Sequence, residues 1–273
     1  MKRLSVMLLA FLTVSIPGAA PAKPAPDAEQ MREAPAALKP SRAYILLRSS
    51  RAKSGLFPIT HALVRIPTDA EINSYRSARE AAFQQALPAL RKKSKGVEPS
   101  IADFVFAHDG PNNAFGVKNG QFLEDGPERT FLIEVSPGDY VVYGPSFNGS
   151  AVTTCNCLGT VKFSAKPGVI TNMGTLYADK AHGPSQIPQI ESNVGRSLGH
   201  AAFFFGQAVK PADRTTPVPA SLANLPVVAA DYSAVGSFTD PGTLTINRLA
   251  PIPGILGYEN GKPVDLKTGK RLE

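Results

Sequence analysis

Apolar residues in this chain come in short, strand-length runs, nearly all of them closed by glycine, proline or an Asn-Gly pair. Ala43-Tyr44-Ile45-Leu46-Leu47 and His61 to Ile66 are such runs, followed by Phe104 to Phe106, Gln121 to Leu123, Thr130 to Val135, Tyr140 to Tyr143, Thr160 to Phe163 and Thr171 to Tyr177. Proline withholds a ladder donor and glycine favours turns. The 25 prolines and 23 glycines among 273 residues therefore suit many short strands joined by tight loops, not a helical bundle. The pattern predicts a mainly β protein, with an antiparallel β-sandwich as its architecture.

One segment has the helical period instead. Thr68-Asp69-Ala70-Glu71 has the form of a capping box, and Ile72, Tyr75, Ala82 or Phe83, Ala86 or Leu87, and Leu90 recur on one face. The predicted helix covers about 68–87, stops or kinks before Pro88, and lays its apolar face on a sheet. The first two strand runs are expected to be neighbours. Pro137-Gly138-Asp139 predicts a hairpin over Thr130 to Tyr143, and Asn260-Gly261 predicts another over Tyr258 to Leu266.

The N-terminus has a different logic. Met1-Lys2-Arg3 is basic, Leu4 to Ile16 is apolar, and Ala20-Pro21-Ala22 ends the segment with small residues, the layout of a secretory signal peptide cut after Ala22. The apolar stretch is 13 residues long. A membrane-spanning helix needs roughly 20. No later run is long and apolar enough for a transmembrane helix, so no such anchor is expected after cleavage. The product is expected to be exported, to the periplasm or the extracellular space. The chain then divides into an Ala/Pro-rich disordered tether at 23–40, a sandwich with its helical insertion at 41–179, and an irregular extension with short strands at 180–273. Leu249 to Leu256 is apolar enough for that extension to dock on the sandwich.

The block Phe131 to Gly144, followed by Gly159 to Gly168 and Met173 to Leu176, resembles carboxypeptidase-regulatory-like and transthyretin-like β-sandwich modules. Those modules use a strand, a Pro-Gly-x-Tyr turn and a strand in the same way. The resemblance spans residues 129–178 and implies a sandwich that is, like most such modules, non-catalytic. Some relatives in surface adhesins form a Lys-to-Asn bond promoted by a carboxylate. Glu134 stands before the turn, but no matching lysine and asparagine accompany it.

Charge excludes some partners. The net charge is +7, and Lys2 and Arg3 leave with the leader. Arg91-Lys92-Lys93-Ser94-Lys95 concentrates part of the rest, where it either complements a helix C-terminus or meets an anionic surface. No basic stripe is interleaved with aromatics, so nucleic acid is not an expected partner.

Chemistry points to one place. Cys155-Asn156-Cys157 holds both cysteines of the chain. In an extended strand they would face the same side at a Cα separation near the limit for a disulfide, so a bent backbone is expected if they bond. Three readings are open: a local disulfide, two free buried thiols, or a metal or redox-active site. Zinc would need two further ligands, monovalent copper fewer, and His61, His108, His182, His200 and Met173 stand at no coordinating spacing. There is no Gly-x-Ser-x-Gly elbow, no paired-histidine zinc motif and no phosphate loop. His108, Asp109 and Asp139 with Ser146 make a triad only on paper, and Asn148-Gly149-Ser150 reads as a turn. The expectation is an exported, non-enzymatic binding protein without a cofactor, meeting an unidentified protein or envelope polymer. The alternative is a thiol-redox or copper-handling protein centred on Cys155 and Cys157.

Overall fold

A computed structural model describes residues 28–50, 59–94, 96–107, 113–117, 120–125, 128–147, 154–178, 207–236, 245–246 and 248–273. In chain order the strands are β1 (Ala28–Met31), β2 (Ala43–Ser50), β3 (Ile59–Arg65), β4 (Ala114–Gly116), β5 (Leu123–Asp125), β6 (Glu128–Val135), β7 (Gly138–Phe147), β8 (Thr154–Cys155) and β9 (Thr160–Ala165). They continue with β10 (Ile170–Ala178), β11 (Gln207–Lys210), β12 (Val227–Ala229), β13 (Ser233–Val235), β14 (Thr245–Ile246), β15 (Leu256–Glu259), β16 (Lys262–Asp265) and β17 (Lys270–Arg271). Among the described residues a single α-helix, α1 (Asp69–Lys93), lies between β3 and β4. The fold is mainly β, as the strand-length runs predict.

Two sheets enclose the core. The first runs β1-β6-β2-β10-β11, with β5 beside β6 and β12 beside β10; the second runs β13-β9-β7-β3-β4. Most ladders are antiparallel, but β10 runs parallel to both β2 and β12. Ala43, Ile45, Leu47, Phe131, Ile133 and Val135 of the first sheet join Leu63, Tyr140, Val142, Val161 and Phe163 of the second in one buried cluster. Period-two alternation sends their neighbours the other way. Tyr44, Leu46, Leu132 and Ile170 therefore form a second cluster on the outer face of the first sheet.

That outer face explains the first departure from expectation. The Ala/Pro-rich tether is structured from Ala28 onward: β1 pairs with β6, and Met31, Ala34 and Leu38 pack over the outer cluster. Leu222, Leu225 and Val227 cover the rest of it. Partial burial of Met31, Ala34 and Leu38 and the β1–β6 ladder offset part of the entropy lost in ordering a segment that looks too proline-rich to fold alone. Residues 207–235 of the extension likewise belong to the sandwich, because β11 and β12 lie in the first sheet and β13 in the second. Its β15–β16 hairpin turns at Asn260 and Gly261, both at positive φ.

The predicted Thr130 to Tyr143 hairpin does not form. β6 pairs with β1, β2 and β5, whereas β7 pairs with β3 and β9, so Ser136-Pro137 carries the chain across from one sheet to the other. The Tyr140 hydroxyl donates to the Ser136 carbonyl at 2.6 Å and pins this corner. β6 is buried on both faces, which suits an interior strand with partners on either side. For the same reason β2 and β3 belong to different sheets and are not neighbours.

The helix also departs from expectation. Thr68 accepts from the Glu71 amide at 3.2 Å, the Glu71 carboxylate accepts from the Thr68 amide at 2.8 Å, and the capping box is complete. α1 then continues past Pro88 to Lys93. Pro88 and Gln84 both lie on its exposed side, so the carbonyl that loses its partner faces water. No described strand packs along α1. Its apolar face is covered by the chain returning beside it: Phe83 meets Phe104 edge-on at 5.5 Å, Tyr75 meets Phe106 at 5.8 Å, and Arg79 donates to the carbonyls of Ile101, Ala102 and Phe104. α1 and its return segment thus form an arm. Its base is clamped where Arg65, buried at the end of β3, donates to both Glu71 oxygens (3.0 and 2.5 Å) and to Asn113 Oδ1 (2.6 Å).

Two consequences can be measured. The Arg65 guanidinium, with the Thr68 cap, holds the Glu71 carboxyl down from 4.5 to about 2. A depressed carboxyl stabilises the fold fully above its unfolded value, and that contribution is lost as pH falls from 4.5 through about 2. Glu71→Gln is expected to cost α1 about 2 kcal/mol of protection in hydrogen exchange while leaving β2 and β6 unchanged. Gly174, at φ +84°, lies against the Lys210 carbonyl and Pro211, so Gly174→Ala should cost about 3 kcal/mol in urea unfolding, from left-handed strain plus a backbone clash.

Candidate functional site

The inward-facing rows of three strands end in polar residues at the same end of the sandwich. On β2 the row Ala43, Ile45, Leu47 ends in Ser49; on β3 His61 precedes Leu63; on β11 Gln207 precedes Val209. All three polar side chains are buried, His61 completely. Burying such groups is tolerable only if they satisfy each other, and here they do. His61 Nε2 lies 2.9 Å from Ser49 Oγ, His61 Nδ1 lies 2.9 Å from Gln207 Nε2, and Gln207 Oε1 accepts from Asn156 Nδ2. The chain Asn156–Gln207–His61–Ser49 links the first sheet, through Ser49 and Gln207, to the second, through His61.

The Cys155-Asn156-Cys157 segment supplies the end of this chain. The backbone bends there: the Asn156 amide donates to the Tyr143 carbonyl at 2.5 Å, and the Asn156 carbonyl accepts from the Gly159 amide at 3.2 Å. The bend sends the two cysteines to the outer face of the second sheet, where they pack with Ala62, Val64 and Tyr143, while the Asn156 side chain reaches Gln207. The Cys155 and Cys157 sulfurs are in contact and their Cα atoms are 5.1 Å apart, inside the range a disulfide needs. Both cysteines are buried.

The network's polarity limits its chemistry. Because Gln207 Oε1 accepts from Asn156, Gln207 Nε2 must donate to His61 Nδ1, which leaves the ring proton on Nε2 pointing at Ser49. The spacing is that of a nucleophile and base, but the imidazole donates to the hydroxyl and holds no free lone pair for its proton. Burial alone pushes the ring down from 6.5 to about 4, so it is neutral at ordinary pH. This is a structural bridge, not an activated serine.

The other sequence candidates are scattered. Met173 lies in the sandwich core, and the Asp139 carboxylate is partly exposed, accepting from Ser164 beside Lys162. His108, His182, His200, Asp109, the Ser146 side chain and Asn148-Gly149-Ser150 lie outside the described residues. Among the described residues no three His, Cys, Asp or Glu side chains stand together as metal ligands. Also among them, no helix is long and apolar enough to cross a membrane. Glu134 does meet a lysine: Lys39 Nζ and Arg42 Nε each donate to Oε1 at 3.0 Å, and the Tyr44 hydroxyl donates to Oε2 at 3.2 Å. Burial would raise this carboxyl, but Lys39, Arg42 and Tyr44 outweigh it and hold it below the usual range.

Sequence reading missed Ser49 and Gln207 and treated His61 as isolated. The available signal was a polar residue ending an apolar period-two row, seen at Ser49 after Ala43, Ile45 and Leu47. Its partners are distant in the chain, which no local pattern reveals.

The unfolded chain takes up a proton at His61 near pH 6.5, and the folded chain only near 4. Between those values the unfolded state binds more protons, so stability falls as pH drops from 6.5 to 4, by roughly 3 kcal/mol in total, and then levels off. His61→Gln should flatten this segment of the pH profile. Urea midpoints for both proteins across this range provide the measurement.

No protein-family model, curated protein or solved structure matches this chain.

Proposed function

We propose that this chain is an exported, non-enzymatic interaction protein of the cell envelope or extracellular space, with the sandwich as scaffold and the α1 arm as its contact element. The observation that carries the reading is how the arm is built. Arg65, Glu71 and Asn113 clamp its base, its apolar face is closed by its own return segment, and it presents Tyr75, Val97 and Val105, the last 92% exposed, to solvent. A rigidly held element carrying exposed apolar side chains suits recognition of a protein or envelope polymer. The leader-like residues 1–22 support export, and the resemblance of residues 129–178 to mostly non-catalytic sandwich modules supports the absence of turnover.

We read the contact between Cys155 and Cys157 as a structural disulfide. A catalytic thiol-redox or copper function would need sulfurs open to solvent in the closed protein or further ligands, and the burial of both side chains favours the structural role.

Photo-crosslinking tests the arm. A photoreactive residue at Val105 should yield a discrete adduct in the cell envelope, abolished by Glu71→Gln, while the same probe at Leu266, on the C-terminal hairpin, should not. Equal or absent adducts at the two positions would remove the arm as the contact element. Turnover of an ester, peptide or glycoside by the purified protein would overturn the non-enzymatic reading.

A further inference from the structure

Asn156 belongs both to the cysteine turn and to the polar chain between the sheets. Its backbone is bent so that the flanking Cα atoms stand 5.1 Å apart, whereas an extended chain would place them roughly 6.7 Å apart. Its side chain donates to Gln207, and its Oδ1 has no hydrogen-bond partner among the described residues. The amide is therefore aimed by the bend and by the single contact with Gln207. Gln207 in turn holds His61 Nδ1, and His61 reaches Ser49 on the opposite sheet.

We propose that the thiol–disulfide state of Cys155 and Cys157 controls whether Asn156 holds Gln207, and through it whether His61 bridges the two sheets. This rests on reading the sulfur contact as a disulfide. A dithiol reductant operates the device when the turn opens locally, because both cysteines are buried in the closed protein. One of its thiolates attacks a cysteine sulfur, the Cys155–Cys157 bond breaks, and its second thiol closes a disulfide within the reductant. Two electrons and two protons end on the cysteines. Two thiols sit farther apart than two bonded sulfurs, so the bend relaxes towards extended spacing and draws the Asn156 amide away from Gln207. Gln207 then loses the partner that fixes its orientation, and His61 loses its donor. No charged side chain takes part: Ser49 from β2, Gln207 from β11 and Asn156 from the turn are all neutral, and burial alone sets the state of the imidazole. The effect is local, because the Glu134 cluster and the β1–β6 ladder share none of these residues.

Two backbone bonds report on the link: the Val117 amide donates to the His61 carbonyl at 2.8 Å, and the Ala250 amide donates to the Gln207 carbonyl at 3.0 Å. Iodoacetamide labelling of the unfolded protein, with and without prior reduction, first establishes the bond by intact mass. Native hydrogen exchange is then compared before and after treatment with dithiothreitol. The expected result is no labelling without reductant, followed on reduction by about ten-fold faster exchange at Val117 and Ala250 with β2 and β6 unchanged. Oxidised Asn156→Ala, which keeps the cysteines but removes the link, should show the same acceleration. The wild-type comparison needs no variant to fold. Labelling of both cysteines without reductant would sink the disulfide reading and the device with it. A bond that dithiothreitol cannot open in the folded protein, or one whose opening leaves exchange unchanged, would overturn the device alone.

Discussion

The end of an apolar core is where a β-sandwich is most exposed to the cost of unpaired polar groups, and here that end is closed by His61. Its two ring nitrogens join Ser49 and Gln207 of one sheet to a strand of the other, and Gln207 extends the link to Asn156. Each bond contributes only about 1 kcal/mol net, but leaving any of these groups buried and unsatisfied would cost more. That asymmetry fixes how the two sheets meet. An apolar replacement would permit sliding, whereas a directional chain of four side chains permits one register.

The rest of the architecture follows from a first sheet buried on both faces. Ala43 to Leu47 of β2 and Phe131 to Ile133 of β6 are apolar without alternation because one face meets the sandwich core and the other lies under Met31, Leu38 and Leu222. Local chemistry was legible in the sequence. The Thr68–Glu71 capping box and the Asn260-Gly261 hairpin form as their residues predict, since all the partners lie within a few positions. Partner choice was not legible. Pro137-Gly138 marks a reversal whether the chain returns along the same sheet or crosses to the next, and only the distant partners of β6 and β7 decide between them. The Ala/Pro-rich segment fails as a tether for the same reason, because the surface it covers is built from residues far along the chain. Cys155-Asn156-Cys157 was recognisable as a special site, but its connection to His61 depends on Gln207, some fifty positions away.

Separating the arm from the sandwich gives the molecule a division of labour. The sheets bury both cysteines and His61 among their own partners. The arm exposes Tyr75, Val97 and Val105 and is tied to β3 by a charged clamp, whose Arg65 is buried and whose Glu71 also caps the helix. Removing one partner from such a clamp leaves a buried charge uncompensated, so the arm's position is strongly specified even though no described strand packs along it.

His61 is thus a neutral, doubly hydrogen-bonded bridge whose proton sits on Nε2. Nitrogen-15 chemical shifts of the imidazole, read through long-range proton couplings at pH 5.5, test it most directly. The expected spectrum is that of a neutral ring protonated at Nε2 alone, with an unprotonated, hydrogen-bonded Nδ1. An imidazolium at that pH, or a ring exchanging freely between tautomers, would contradict it.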